Sequence, residues 1–273
     1  MFVWNHYRRC LGALIAALIL TPPDALGQPS TDTDIPTGLL CLAQSYPEQI
    51  ERVDGRHLYF KDGTSMNWDD GRNPLDFQTR LNQADLKDQM SQAYPLTFPT
   101  AGPQVNHDPG RIRHQPFFDK MYGQSEKQAR EKLVEVRWMP GLSNRKVRFT
   151  TVNNVHKQIE KVSAALEKLP RRFHKYLSEP SSFNFRMIRK TKRKSMHSYG
   201  IAIDVGVEYA DFWRWAAKSK GGTAPYRNRI PEEIVEVFQR HGFIWGGKWY
   251  HFDTMHFEYR PELLHPLCAE DTP

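Results

Sequence analysis

Apolar and polar positions alternate most cleanly near the carboxy-terminal end of the chain. In "IAIDVGV", residues 201–207, Ile201, Ile203, Val205 and Val207 fall on one side of an extended strand, and Ala202, Asp204 and Gly206 on the other. "MHFEY", residues 255–259, repeats the pattern: Met255, Phe257 and Tyr259 oppose His256 and Glu258. "FNFRMI", residues 183–188, sets Phe183, Phe185 and Met187 against Asn184 and Arg186. Each segment therefore reads as a strand with an apolar face for the core and a face carrying few, chemically capable groups. "KLVEVRWMP" and "KVRFTTV" read as two further strands, and "RHLYFKDGTSMNW" as a hairpin turning at Asp62-Gly63. The period changes in "NNVHKQIEKVSAALEKLP", where Val155, Ile159, Val162, Leu166 and Leu169 share one helical face. "IPEEIVEVFQRHGF" is a second helix, with Pro231 in its first turn and Gly242 at its end. Residues 95–127 are rich in Pro, Gly and His and read as irregular connection. The irregular order of strands and helices predicts an α+β fold, a mostly antiparallel sheet with flanking helices, preceded by an amino-terminal extension that holds the hairpin.

The amino terminus stands apart. "MFVWNHYRR" is a basic lead, "CLGALIAALIL" an 11-residue apolar run and "DALG" a small-residue cleavage site. The run is too short to span a bilayer, so residues 1–27 are expected to be a cleaved export signal that leaves no stable membrane insertion. The chain then divides into an extension over residues 28–130, opening with a loose polar lead-in over residues 28–37, and a main domain over residues 131–268. Loss of the signal would lower the formal charge from +7 to +6 and remove Cys10. The two remaining cysteines, Cys41 and Cys268, are an even pair in an oxidising compartment, which favours a disulfide. A periplasmic or secreted location follows from the same reading.

Charge and motif searches narrow the chemistry. The basic run "RKTKRK", residues 189–194, could suggest nucleic acid, but runs of this length are usually solvated loops and an exported protein rarely meets nucleic acid. "SNRK", residues 143–146, lacks the companion elements of a serine-lysine peptidase, and no H-E-x-x-H is present. What remains is the polar face of the carboxy-terminal strands. If those strands are neighbours, His256, Asp204 and Arg186 converge, and His197 joins them from the turn before Gly200. Two imidazoles and a carboxylate match a catalytic zinc site with one position open to water. Asp253 lies three residues before His256, so it reaches the same side only from a turn or bulge, a natural place for a base that does not ligate. Glu258 reads equally as a partner supporting a ligand and as an ordinary solvated strand residue. His251 lines the cleft or stands in as a ligand, and the other histidines take the default reading of surface or core residues.

At these residues "SMHSYGIAIDVGV" resembles the S-x-H-x-x-G-x-A-x-D motif of the D-alanyl-D-alanine carboxypeptidase family of zinc peptidases, which includes L-alanyl-D-glutamate endopeptidases. "DTMHFEY" is similar to that family's second motif, "WGGKW" to the segment ahead of it, and "FNFRMI" to its arginine strand; together they span roughly residues 183–262. The resemblance implies one zinc per chain on His197, Asp204 and His256, Asp253 as acid/base, and Arg186 holding a substrate carbonyl or carboxylate. Ser195, Trp249 and His251 join Arg186 as expected substrate-binding residues. The implied partners are peptidoglycan stem peptides. A non-catalytic wall-binding module of the same fold is the second reading, and the basic run at residues 189–194 is outside the family pattern.

Overall fold

A computed structural model of the chain describes residues 34–72, 75–219 and 225–270, all within one compact unit. The expected export signal and residues 28–33 of the lead-in lie outside the described residues. Among those described, no helix is long and apolar enough to cross a membrane.

The fold is α+β, but its antiparallel pairing is distributed over three small sheets instead of one. The first joins strands Ile50–Val53, His57–Phe60 and Ser65–Asn67. Its second turn is the Asp62-Gly63 hairpin, with His57 opposite Asn67 and Tyr59 opposite Ser65. Strands Leu133–Arg137 and Lys146–Thr150 form the second. The third orders Ala202–Asp204, His256–Tyr259 and Phe243–Trp245, with His256–Tyr259 in the centre. A short parallel pair, Tyr94–Pro95 with Ala269–Glu270, ties the carboxy-terminal tail to the first half of the chain.

Periodicity explains the two main helices. Val155–Glu167 buries Val155, Ile159, Val162 and Leu166, all on the predicted face, while Leu169 lies beyond its end. Glu232–Arg240 buries Ile234, Val235, Val237 and Phe238; Pro231 sits at its N-cap, and Gly242 leaves it with a φ of 85°. Phe238 stacks on Phe257 of the central strand with ring centroids 3.8 Å apart, which seats this helix on the third sheet. Leu39 and Leu42 of the helix Thr37–Ser45 join the same core as Phe117, Phe149, Ile159 and Phe257.

Three expectations are corrected. Residues 95–127 are not wholly irregular: Gln115–Tyr122 is a helix, and Glu126–Arg130 another that begins just before the segment's end. Both are short, and neither is long enough to repeat an apolar period. One has Pro116 in its first turn and buries Phe117, Phe118, Met121 and Tyr122; the other starts on a Ser125/Gln128 capping box. "FNFRMI" is not a strand. It is an extended segment held by isolated bridges at Ser181 and Met187, and its Asn184 and Arg186 amides go to the His197 carbonyl and the Ser198 hydroxyl. Its apolar face is only partly buried, with Phe183 in the core and Met187 exposed. "IAIDVGV" is a strand only over Ala202–Asp204, because Gly206 turns the chain at φ 57° where a Cβ would come within 2.2 Å of the Tyr176 carbonyl oxygen. Val207 is consequently exposed instead of lying in the core.

Cys41 and Cys268 form a disulfide with Cα atoms 6.5 Å apart, closing a separation of 227 residues. It fastens the first described helix to the tail beside the parallel pair. Closing so long a loop stabilises the folded state by roughly 3–5 kcal/mol in the chain-entropy account. C41S/C268S is therefore expected to melt well below the native protein in non-reducing buffer and to match the reduced native protein. Equal melting temperatures for native and doubly substituted chains would refute this.

Candidate metal centre and active site

The centre is built by register. Asp204 and His256 are directly opposite one another in antiparallel strands, so their side chains leave the sheet on the same face. His197 arrives from the 3-10 turn Met196–Tyr199, which starts at Ser195 and ends at Gly200 in the left-handed region with φ 67°. A Cβ on Gly200 would lie 2.5 Å from Leu133 Cδ2, so the turn needs glycine both for its torsion and for space. Ser198 secures the other side: its hydroxyl accepts from the Arg186 amide and donates to the Arg186 carbonyl, each at 2.9 Å.

His197, Asp204 and His256 offer ligand atoms that all lie within 4.8 Å of one another. His197 Nε2 is 3.2 Å from both Asp204 Oδ1 and His256 Nδ1, and His256 Nδ1 is 3.0 Å from Asp204 Oδ1. The remaining ring nitrogens are committed elsewhere. His197 Nδ1 donates to the Ser182 carbonyl at 2.5 Å, and His256 Nε2 donates to Glu258 at 2.9 Å. In its neutral form each imidazole therefore points a lone pair inward, as metal-ligating histidines require. Glu258, which the sequence left between a solvated and a supporting residue, is fully buried and supports His256.

The charges favour a cation at this point. Burial opposes ionisation of Asp204, yet the His197 and His256 imidazoles hold its carboxyl far below the usual carboxylate range. Burial alone would lower His256, but Asp204 and Glu258 push it up to about 10. Glu258 is likewise resisted by burial and held at about 2 by Arg113, His256 and Arg260. Two carboxylates clasping one imidazole stabilise positive charge here, with Asp204 on the Nδ1 side that a metal would share and Glu258 on the Nε2 side. Two nitrogens and one oxygen in a buried cluster fit zinc, with cobalt or manganese as substitutes. A second acidic group, Asp69, Asp70 and Asp85, has its carboxylates engaged by Lys87, Arg72 and backbone amides.

Asp253 enters from a turn, as its spacing requires. Its amide donates to the Gly246 carbonyl at 2.9 Å, and its carbonyl accepts from the His256 amide at 3.2 Å. Burial first, and the Asp204 charge second, push its carboxyl up to about 6. Its Oδ1 is buried with no hydrogen-bond partner among the described residues. Arg186, Ser195, Trp249 and His251 line the same cavity of about 660 Å³ as Asp253 and the three ligands. Every expected site residue is thus brought to one cleft.

Residues from outside the carboxy-terminal motifs complete the walls. Asp108, buried, accepts from His251 Nδ1 at 2.6 Å and from the His251 amide at 2.8 Å, and pairs with Arg111 at 3.3 Å. Arg113 pairs with Glu258 behind His256. These three come from "NHDPGRIRH", residues 106–114, where the only sequence signal is closely spaced charge inside a Pro/Gly segment. Trp213 meets His251 edge-on at 4.7 Å, and the half-exposed Trp215 extends this aromatic lip at the cavity rim.

The His-Asp-His cluster could hold a metal ion, and a carboxyl group with an unpartnered oxygen lies in the same open cleft. Residues 189–259 match the family model described as D-alanyl-D-alanine carboxypeptidase, a zinc peptidase family. The matched segment contains His197, Asp204, Asp253 and His256; Arg186 and the Asp108–Arg113 wall lie outside it. No curated protein and no solved structure matches the chain.

Replacing Glu258 tests the support of His256. E258Q keeps the shape but weakens the hold on His256 Nε2, and metal affinity is expected to fall about 10–100-fold. Competition with a chromogenic chelator reads this directly; unchanged affinity would show that Glu258 serves the fold alone. H197A is expected to lose the stoichiometric metal altogether by elemental analysis.

Proposed function

We propose that the protein is an exported zinc peptidase that hydrolyses peptide bonds in the stem peptides of bacterial peptidoglycan, as a D,D-carboxypeptidase or a related endopeptidase. The observation that carries this reading is Asp253: a half-buried residue whose carboxyl has a raised pKa and a buried, unpartnered Oδ1, in the same cleft as three convergent ligands. A non-catalytic wall-binding module would leave that oxygen unexplained, since a buried carboxyl oxygen without a partner is costly. The disulfide supports export, as such bonds persist in oxidising compartments.

His197 Nε2, Asp204 Oδ1 and His256 Nδ1 would hold one zinc. The bound metal supplies Lewis acidity to the scissile carbonyl and the attacking water. The chain's own groups do the rest. Asp253 Oδ1 takes the proton from the attacking water and delivers it to the departing amine, a role its intermediate pKa suits. Arg186, exposed at the cavity, offers a planar fork to a substrate carboxylate or carbonyl. Trp249 forms a fixed wall: its ring lies 5.7 Å from His256, and its indole N–H donates to the Pro109 carbonyl at 2.6 Å. Ser195 is held by its amide to the Arg186 carbonyl at 3.1 Å, so the arginine segment and the ligand-bearing turn move as one.

D253N preserves shape and ligands while removing the proton acceptor. It is expected to retain the metal content of the native protein and to cleave defined stem peptides about 10²–10⁴ times more slowly. Mass analysis of the products, with and without zinc, identifies the bond cut. A D253N protein lacking metal would make Asp253 a ligand; cleavage at the native rate would assign the base elsewhere.

A further inference from the structure

The basic run at residues 189–194, which opens the segment matched by the family model, forms the tip of a turn. The Ile188 amide donates to the Arg193 carbonyl at 2.8 Å, the Thr191 amide to the Ile188 carbonyl at 3.0 Å, and Met187 bridges Lys194. Arg189 and Lys190 line the cleft of the candidate active site. Lys192, Arg193 and Lys194 line a second cavity of about 420 Å³, which also takes in Arg72, Arg113 and His114. The two cavities share Arg113 and Met196 as a common wall.

The second cavity is charged on one side of the ledger only: its lining contains no aspartate or glutamate. Some of its cations have partners behind the wall. Arg72 pairs with Asp70, Arg113 with Glu258, and Lys194 with Asp119 at 2.7 Å. Among the described residues, no group hydrogen-bonds the side chain of Lys192 or Arg193. The Nε–H groups of Arg193 and Arg113 are both buried without an acceptor. Burial, then the like charges of Arg113, Arg111 and Arg214, pull the Arg193 guanidinium down to about 10. Asp108 offsets this in part, but its carboxylate is already engaged by His251 and Arg111. Arg193 and Lys192 thus line a cavity of one charge sign with no counter-charge among the described residues paired to their side chains, which calls for an anionic acceptor from outside the chain.

We infer that this second cavity is an oxyanion subsite that receives a carboxylate of the same peptide whose scissile bond lies in the first cavity. The inference rests on the peptidase reading. A carboxylate matches the guanidinium fork in shape as well as charge, and an extended peptide can pass across the Arg113–Met196 wall from one cavity to the other. Arg193 and Lys192 bind and discriminate; they take no part in bond cleavage. The inference also explains why the basic run is distributed between two cavities and does not simply face solvent.

The test uses pairs of stem peptides that differ only in one flanking residue, carboxylate in one member and carboxamide in the other, placed in turn on each side of the scissile bond. With the zinc-loaded full chain, one such pair is expected to show a preference for the carboxylate of about tenfold or more in kcat/KM, expressed mainly in KM. Millimolar inorganic phosphate should raise KM for the carboxylate peptide and leave its carboxamide twin nearly unchanged. R193Q should reduce the preference to within about twofold, and K192Q, at an exposed position, should reduce it less in the same direction. A native enzyme without preference at any position, or an R193Q enzyme that keeps it, overturns the subsite. If neither peptide is cleaved, calorimetric binding of the same pairs decides. A carboxylate preference lost in R193Q upholds the subsite and refutes only the peptidase reading; equal binding refutes the subsite. Phosphate binding at Arg193 with no carboxylate preference would assign the cavity to a phosphate ligand and overturn the inference as stated.

Discussion

The structure turns on a chain of charges sealed in the core. His256 hydrogen-bonds Glu258; Glu258 meets Arg113 and, at 3.1 Å, Arg260; Arg260 reaches Glu262 at 2.5 Å; and Glu262 accepts from the Tyr46 hydroxyl at 2.6 Å. Glu258, Arg260 and Glu262 are all wholly buried. Removing charges from water costs several kcal/mol per ion, repaid only when each is paired with good geometry. Every member therefore depends on the next, and loss of one strands its neighbours. Arg260 gains further anchorage by donating to the Gly110 carbonyl at 2.9 Å and by lying 5.0 Å over the Phe118 ring. This chain links the candidate metal centre at one end to the helix Thr37–Ser45 at the other, through Tyr46 at its C-cap.

That arrangement determines how rigid the site can be. The ligand His256 sits in the middle strand of its sheet, fixed in register by Asp204 on one side and supported by the Phe238 stack below Phe257. The segment Asp108–Arg113 braces it from behind and simultaneously braces His251 in the cleft. A region far from the motifs in sequence therefore holds two parts of the site, and its geometry relays any disturbance of residues 106–114 to the ligands.

Much of the centre was legible because it obeys short-range rules. The alternation in "IAIDVGV" and "MHFEY" put Asp204 and His256 on usable faces, and Gly200 marked the turn that presents His197. The spacing of Asp253 from His256 required a turn, and a turn is there. The limits are equally physical. A polar-apolar alternation says which way side chains point but not where the strand stops, and Gly206 stops one early. In "FNFRMI" the pattern mimicked a strand because the segment is extended, although its amides go to a turn and a hydroxyl. Asp108, Arg111 and Arg113 were illegible because their significance lies wholly in long-range partners, at separations no local period encodes. Glu258 could be placed on the ligand face, but its burial depended on those same absent partners.

The disulfide and the parallel pair join segments that leave the ribosome far apart in time. Tyr46 meets Glu262, Cys41 meets Cys268, and Tyr94 pairs with Ala269 only after nearly the whole chain has been made. The first described helix packs on the strand Ile50–Val53 that follows it, but its fastenings to Glu262 and Cys268 are available only once the last segment exists. A product cut short before Glu262 would therefore carry Tyr46 and Cys41 with neither of the partners that fasten them.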